Sequence, residues 1–192
     1  MMMNHGLPLP DPGPLPKTAL ITGGAGALGF EIAKSLADHQ IAIIDIGDTV
    51  EARAAELPDA LGLSCDLGEP DALHNAYLTA FDRYGPFGVV VHAAGIAPVA
   101  PFLDTDRAAF TNSLNVNLTS AFDIFRLAAR DLVMHGKSGR LIAIASISGA
   151  RAGYARTAYG TAKAGLIHLT GQIALELGPY GITANAVAPG PV

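Results

Sequence analysis

The sequence is short of cysteine, of charge and of long apolar runs, and each shortage excludes a class of protein. Its single cysteine, Cys65, excludes an internal disulfide framework and a zinc site built from several cysteines. No apolar run reaches the ~20 residues that a membrane-spanning helix needs. Twelve lysines and arginines stand against 17 acidic residues, so the net charge is −5 and no basic footprint for nucleic acid is present.

The amino-terminal region lacks the basic and apolar segments of a signal peptide. Together with the lone cysteine, this indicates a cytoplasmic protein. Residues 1–16 hold five of the 13 prolines, and we expect them to form a disordered or extended tail. Residues 17–192 show no internal repeat and predict a single domain that is long enough to enclose a core.

Half of the residues are hydrophobic and only 15% are charged, which suits a parallel sheet buried on both faces. Six short apolar segments alternate with helical patterns, and this alternation predicts a doubly wound α/β (Rossmann) sheet with strand order 3-2-1-4-5-6. The predicted strands are residues 17–22, 40–46, 61–65, 87–92, 139–145 and 182–187. The main predicted helices are residues 27–38, 70–84, 106–135 and 155–178.

A glycine-rich loop joins the first predicted strand to the first predicted helix. Gly24, Gly26 and Gly29 match the pattern G-x-G-x-x-G. Glycines at this spacing let the backbone turn tightly and approach a pyrophosphate at the start of the helix. The pattern predicts a dinucleotide site, with an ordinary glycine-rich loop as the alternative.

Asp45 ends the second predicted strand, close to the place ~20 residues beyond the glycine pattern where an acid binds the ribose hydroxyls of NAD. Its charge would repel a 2′-phosphate, and no lysine or arginine lies in the glycine loop or directly after Asp45. We therefore expect NAD instead of NADP. The alternative is an aspartate that only caps the next turn.

Tyr159 and Lys163 are four residues apart in a predicted helix, so their Cβ atoms lie on one face roughly 5–6 Å apart. A nearby ammonium favours ionisation of a phenol, which can then exchange a proton with an alcohol or a carbonyl oxygen. Ser146 follows the fifth predicted strand and would point into the crevice where α/β sheets bind ligands. The alternative is a chance spacing of one aromatic and one lysine.

In this order and spacing, the residues resemble the short-chain dehydrogenase/reductase family over about residues 17–192. Residues 22–29 are similar to its cofactor loop, Asp66 and Leu67 to the pair that meets the adenine, and residues 189–190 to the turn under the nicotinamide. The residues similar to its catalytic tetrad are Asn117, Ser146, Tyr159 and Lys163. The cofactor contacts that the resemblance implies are Gly23, Gly26, Leu28, Gly29, Asp45, Asp66, Leu67, Ala93, Gly95, Tyr159, Lys163, Pro189, Gly190 and Val192.

The resemblance also implies a role for each member of the tetrad. Tyr159 would be the general acid/base, and Lys163 would assist it and bind the nicotinamide ribose. Ser146 would orient the substrate oxygen, and Asn117 would hold a water that extends a proton relay. The implied function is hydride transfer between NAD(H) and a secondary alcohol or ketone in a homodimer or homotetramer, with the hydride chemistry supplied by the cofactor.

The sequence departs from the family pattern in three places. The middle glycine of the loop is Gly26, whereas the family usually has glycine one position later, at the place of Ala27. The spacing in this sequence is also found in sugar epimerases. His92 and Ala93 stand where the family has two asparagines, and a lone histidine is more often structural than catalytic. The family pattern continues past Val192 with a threonine that contacts the cofactor, a helical lid and a seventh strand, so we expect a domain incomplete at its carboxyl end with its sixth strand at an open edge.

These departures leave two alternatives to a dehydrogenase. One is a sugar-nucleotide epimerase or dehydratase of the same superfamily, which the glycine spacing suggests. The other is an NAD-binding module without catalysis. Substrate identity is outside what the sequence predicts, and Arg151 is more simply interpreted as a solvated loop arginine than as a contact to an anionic substrate.

Overall fold

The computed structural model describes residues 13–190, so Val192 and most of the predicted tail lie outside it. The strands among these residues are β1 (Thr18–Thr22), β2 (Gln40–Asp45), β3 (Ala60–Ser64), β4 (Val89–His92), β5 (Gly139–Ile144) and β6 (Ile182–Val187). They form one parallel sheet in the order β3-β2-β1-β4-β5-β6. The predicted fold class and strand order are confirmed.

The helices among the same residues are α1 (Ala27–Ser35), α2 (Val50–Ala55), α3 (Pro70–Tyr84), α4 (Arg107–Leu114), α5 (Ser120–Met134), α6 (Ile147–Ala150) and α7 (Thr157–Leu177). The sequence did not predict α2 and α6, because helices this short show no clear 3.6-residue period. The helix predicted over 106–135 is divided into α4 and α5 by a π-helical turn at Asn115–Thr119. Within residues 13–190, no helix combines the length and the apolar character needed to cross a bilayer.

Side chains from the central strands pack into two cores, one on each face of the sheet. Leu20 and Val90 face the core that includes Phe125 of α5. Ile21 and Val91, the next residues along β1 and β4, face the opposite core with α1 and α2. Successive side chains of a strand point to opposite faces, so strands buried on both sides must be apolar throughout. This requirement explains the continuous hydrophobic runs of the sequence.

The order of the strands places the strand ends that carry the predicted site side by side. The chain winds outward from β1 to β3 and then returns across the sheet to continue with β4 beside β1. A doubly wound sheet opens a ligand crevice at this reversal, outside the carboxyl ends of the strands. Thr22 pairs with His92 at the ends of β1 and β4, and Asp45 pairs with Ser64 at the ends of β2 and β3.

Near its two ends, the described chain is held by hydrogen bonds at Gly13 and forms an edge of the sheet at β6. Gly13, within the tail predicted at 1–16, donates its amide to the carbonyl of Gly136 at 3.0 Å and accepts from the amide of Ser138 at 3.2 Å. β6 and β3 form the two edges of the described sheet, and Val187 of β6 is half exposed.

Candidate active site

The loop between β1 and α1 brings backbone groups close together at two glycines. Gly23 has φ +67°, and a Cβ atom there would lie 2.6 Å from the amide nitrogen of Ala94. A Cβ atom on Gly29 would lie 2.1 Å from the carbonyl oxygen of Gly23. Any other residue at either position would push the loop away from the end of β4 or from the first turn of α1.

The first turn of α1 presents unpaired amides at this loop. Gly26 is its N-cap and supplies no side-chain hydrogen bond. The first amides of a helix have no acceptor inside the helix, and the helix dipole gives that end a partial positive charge. Leu28, also predicted as a cofactor contact, is 42% exposed in the same turn. Such a turn can hold a pyrophosphate.

Asp45 joins the end of β2 to the glycine loop. Its Oδ2 atom accepts from the amides of Ala25 at 2.9 Å and Gly26 at 3.2 Å, and its Oδ1 atom accepts from the amide of Ile46 at 2.8 Å. The carboxylate therefore caps both the preceding loop and its own turn. A carboxylate offers about four acceptor positions, so one position remains for an external donor such as a ribose hydroxyl.

A cavity of about 250 Å³ opens between the glycine loop and the ends of the strands. The predicted cofactor residues that line it are Gly23, Gly26, Asp45, Asp66, Leu67, Ala93 and Gly95. Its other walls include the buried Cys65 and the side chains of Ile46, Ile96 and Val116. The carboxylates, the apolar side chains and the glycines of this lining fit the adenosine half of a dinucleotide. Pro189 does not line this cavity. It lies beside the start of α6, where its carbonyl accepts a hydrogen bond from the amide of Ile147 at 3.0 Å.

Ser146 stands just after β5, at the carboxyl edge of the sheet, as the sequence predicted. It is the N-cap of α6, and its Oγ atom accepts from the amide of Ser148 at 3.1 Å. The side chain is 9% exposed. Because Oγ serves as an acceptor for the cap, its hydrogen is left to donate to another oxygen.

Tyr159 and Lys163 both lie on α7, one turn apart. The Lys163 Nζ atom is 5.8 Å from the centroid of the Tyr159 ring and donates to the carbonyl oxygen of Ile144 at 2.7 Å. Lys163 is only 3% exposed, and burial lowers the pKa of its amine to about 8. The amine faces the interior of the site, and two of its three hydrogens remain for other acceptors.

Asn117 is buried beside this lysine and is held through its amide nitrogen. Its Nδ2 atom donates to the carbonyls of Ile96 and Ser113, each at 2.9 Å. Its Oδ1 atom is buried and has no hydrogen-bond partner among residues 13–190. A Cβ atom on Gly95 would lie 2.6 Å from this Oδ1 atom and 3.3 Å from Lys163 Nζ. The unpaired acceptor and the buried amine therefore face the same small space, which only glycine at position 95 leaves open.

The π-helical turn that contains Asn117 has an identifiable cause. The amide of Ser120 bonds to the carbonyl of Asn115, five residues back. Asn117 bonds to the carbonyl of Ser113 and the Ser120 hydroxyl bonds to that of Val116, so side chains compete for acceptors that a regular helix would use. The helical region predicted over 106–135 is therefore interrupted, but not ended, by this turn. Such turns are frequent at functional sites.

His92 connects the end of β4 to this turn. It is fully buried, and its Nε2 atom lies 2.8 Å from the Ser120 hydroxyl oxygen. Ser120 donates its hydrogen to Val116, so the histidine is the donor in the first contact. Burial lowers the pKa of His92 to about 3, which keeps the ring neutral. The histidine therefore holds the π-helical turn against the sheet.

Sequence reasoning missed three further groups at the site. The carbonyl of Ile144 and the carbonyl of Ser113 orient Lys163 and Asn117, and a backbone acceptor leaves no signal in a sequence. Arg156 places its guanidinium carbon 5.9 Å from the centroid of the Tyr159 ring. The three-residue spacing of Arg156 and Tyr159 could have indicated this neighbour.

Comparisons with known proteins agree with this architecture. The family model described as short chain dehydrogenase matches residues 17–192. The 3-oxoacyl-[acyl-carrier-protein] reductase MabA of Mycobacterium avium is 37% identical over 177 residues, which cover 91% of this chain and 66% of the relative. The L-rhamnose 1-dehydrogenase (NAD(P)(+)) of Azotobacter vinelandii is 34% identical over 188 residues, which cover 92% of this chain and 73% of the relative.

Solved structures give the same result. A xylitol dehydrogenase with bound NAD+ superposes with a TM-score of 0.85 at 28% identity, over 92% of this chain and 71% of that one. The sorbitol-6-phosphate 2-dehydrogenase SrlD from Erwinia amylovora gives a TM-score of 0.83 at 27% identity, over 88% of this chain and 70% of that one. The chain thus spans about two thirds of the length of these proteins. Since the family match covers nearly the whole chain, the protein belongs to the short-chain dehydrogenase/reductase family.

Proposed function

We propose that the protein is an NAD(H)-dependent oxidoreductase that converts a secondary alcohol and the corresponding ketone by a Ser-Tyr-Lys mechanism. The observation that carries this proposal is the buried amine of Lys163, 5.8 Å from the Tyr159 ring and beside the unpaired oxygen of Asn117. A buried amine next to a phenol and an open acceptor is an arrangement suited to proton transfer. A lysine in the hydrophobic core has no structural need for either neighbour.

Each side chain has a separate task in this mechanism. The Ser146 hydroxyl, fixed as the N-cap of α6, donates a hydrogen bond to the substrate oxygen. The Tyr159 phenol exchanges a proton with the same oxygen, and the Lys163 amine lies one helical turn away, 5.8 Å from the ring. When bound, NAD supplies the hydride acceptor or donor for the substrate carbon.

Asn117 and Lys163 are placed to return a proton to Tyr159 after Tyr159 has given one to the substrate, or to take one up in the reverse direction. The Asn117 Oδ1 atom and Lys163 Nζ border the space beside Gly95. A water there would donate to Oδ1 and accept from Nζ, which satisfies both groups. Lys163 could pass a proton through such a water because its pKa of about 8 is close to neutral pH.

The choice of NAD over NADP is supported by the charge at Asp45. Its carboxylate lines the cavity and faces the loop that would hold the adenosine half of the cofactor. We expect NADH to bind at least about tenfold more tightly than NADPH, since a like-charge contact at this partly buried carboxylate costs more than ~1.4 kcal/mol. Fluorescence titration with both cofactors measures this ratio, and Asp45→Ser should reduce it. A wild-type preference for NADPH would contradict the assignment.

The names of the relatives support a dehydrogenase over the two alternatives. They are called dehydrogenases or reductases of sugars, polyols and 3-oxoacyl groups, which share a secondary hydroxyl or a ketone. A sugar-nucleotide epimerase or dehydratase would convert its substrate without net change in NAD. A binding module would take up NADH and turn over no alcohol.

The test of the proposed function is NADH formation on a panel of polyols and secondary alcohols. Tyr159→Phe should lower the rate by about 10² or more, the usual contribution of a general acid/base. Tyr154→Phe is the matched control, because it removes the same phenolic oxygen from a side chain that is 88% exposed. Both variants should still bind NADH. Equal rates for the two variants would contradict the mechanism, and binding without turnover by the wild type would support the module.

We also propose that two copies pair through α5 and α7. A groove of about 510 Å³ runs between these helices and is lined mainly by apolar groups, including Phe122, Met134 and Ile173. Phe122 and Met134 are 46% and 62% exposed within this groove, and a contiguous exposed apolar surface is typical of an interaction site. Sedimentation should find a dimer or tetramer that Phe122→Asp weakens, and a monomer at micromolar concentration would contradict the proposal. A cytoplasmic location stays a prediction.

A further inference from the structure

The segment that carries the candidate catalytic residues is basic, although the whole chain is acidic. Between Asp131 and Glu176 the sequence has no aspartate and no glutamate. The same stretch holds the basic residues Lys137, Arg140, Arg151, Arg156 and Lys163. The chain as a whole has a net charge of −5, but within this stretch no carboxylate is present to neutralise the basic side chains.

Two of these arginines line a second cavity, of about 350 Å³, between α6 and the start of α7. Hydroxyl-bearing side chains line it as well, namely Ser148, Thr157 and Thr161. Glycine and alanine make up the remaining wall, so no bulky side chain of the described residues fills the space in front of the arginines. No carboxylate is among the lining residues. The cavity therefore offers donors and positive charge together.

Arg156 connects this cavity with the candidate active site. It lines the cavity, and its guanidinium carbon lies 5.9 Å from the centroid of the Tyr159 ring. The residue is only partly exposed. The ion pairs found within residues 13–190 use other basic side chains, those of Lys17, Lys34, His39 and Arg53. Arg156 thus keeps its donors for a group from outside the described chain.

The loop that follows β4 closes on this region without adding negative charge. Its Ala100 amide donates to the carbonyl of Ala155 at 3.2 Å, directly before Arg156. Residues 93–103 contain no acid. The stretch 93–103, whose Ala100 bridges to Arg156, therefore brings no carboxylate to it. A planar guanidinium in such a place is suited to a paired hydrogen bond with a phosphate or a carboxylate.

We propose that the substrate carries an anionic oxygen group, and that Arg156, with Arg151 at the rim, binds this group in the α6–α7 cavity. The group would be a phosphate ester or a carboxylate, which present the same oxygens to a guanidinium. The reacting hydroxyl or ketone of the same molecule then lies at Tyr159. This inference rests on the proposed function for the reaction, whereas the anion site rests on the cavity and its charges.

Direct binding tests the anion site without any turnover. Calorimetry with inorganic phosphate, at constant ionic strength, compares the wild type with Arg156→Gln and with the double variant Arg151→Gln/Arg156→Gln. We expect phosphate binding that Arg156→Gln weakens about tenfold or more, since one partner of a charge pair is lost. Arg140→Gln removes the same charge at the amino end of β5 and should bind phosphate as the wild type does. Failure of the wild type to bind phosphate, or equal binding by all variants, overturns the proposal.

Steady-state kinetics then links the site to the reaction and distinguishes the two anions. One pair of substrates is a polyol and its terminal phosphate ester, and a second pair is a hydroxy acid and its amide. We expect the charged member of one pair to have a kcat/KM about tenfold higher or more, and Arg156→Gln to remove this preference through KM with little change in kcat. Arg156→Lys should restore part of it. Equal use of charged and neutral substrates by the wild type overturns the inference.

The two proposals fail in different ways. If no substrate is turned over but phosphate binding depends on Arg156, the proposed function is wrong and the anion site is supported. If neutral alcohols are oxidised in a Tyr159-dependent reaction and phosphate does not bind, the proposed function is supported and the anion site is wrong.

Discussion

Replacing Lys163 by methionine should stabilise the fold while it abolishes the proposed activity. The substitution keeps an unbranched apolar stem of similar length and removes the charge. Lys163 is 3% exposed, and burial lowers the pKa of its amine from 10.5 to about 8. The folded state therefore holds this proton less tightly than the unfolded chain does.

The size of the effect follows from that difference. At 1.36 kcal/mol per pKa unit, keeping the buried amine charged destabilises the fold by about 3 kcal/mol at pH 7. Methionine also loses the hydrogen bond to the Ile144 carbonyl, worth about 1 kcal/mol. The net gain is about 2 kcal/mol. For a chain of this size it corresponds to a rise in Tm of roughly 4–8 °C.

The pH dependence has a definite sign. Below pH 8 the buried Lys163 amine is charged in the folded wild type, so the free energy of unfolding is lowered by the full ~3 kcal/mol. Between about 8 and 10.5 the unfolded state binds more protons than the folded state, so the wild type gains stability as the pH rises. By about pH 9.5 this gain is about 2 kcal/mol, and the advantage of Lys163→Met should be close to zero.

Urea denaturation at pH 7 and pH 9.5 measures both effects. Lys17→Met is the matched control, because the Lys17 side chain is 76% exposed and its loss should change stability by no more than about 0.5 kcal/mol at either pH. A Lys163→Met variant less stable than the wild type at pH 7 would refute the reasoning. So would an advantage that stays the same at pH 9.5.

Three other substitutions have definite expected outcomes in urea denaturation. Gly29→Ala places a Cβ atom 2.1 Å from the Gly23 carbonyl and should cost more than about 2 kcal/mol, with loss of NADH binding; unchanged binding would contradict the tight loop. Gly171→Ala, in α7 with open space around it, should instead add about 1 kcal/mol, and destabilisation would contradict that geometry. Ser120→Ala removes the acceptor of His92 and should cost about 1–3 kcal/mol; unchanged stability would contradict the importance of this contact.

The sequence by itself determined the class of fold and the neighbourhood of the site. A strand buried on both faces must be apolar throughout, and the apolar runs of β1, β2 and β4 between helices therefore require a covered parallel sheet. A helix brings residues four apart onto one face, so Tyr159 and Lys163 were predictable as neighbours. Placement of Ser146 and Asp45 at strand ends followed as well, because parallel strands end at one edge.

Only the tertiary structure decided how these groups are held. The carbonyl of Ile144 binds Lys163, the π-helical turn leaves one oxygen of Asn117 unpaired, and Arg156 shares a cavity with the start of α7. The neighbours that set the pKa of Lys163 come from other elements of the fold. Periodicity reports the shape of one element at a time, whereas burial and hydrogen bonding depend on residues that are distant in the chain and meet only when the sheet is assembled.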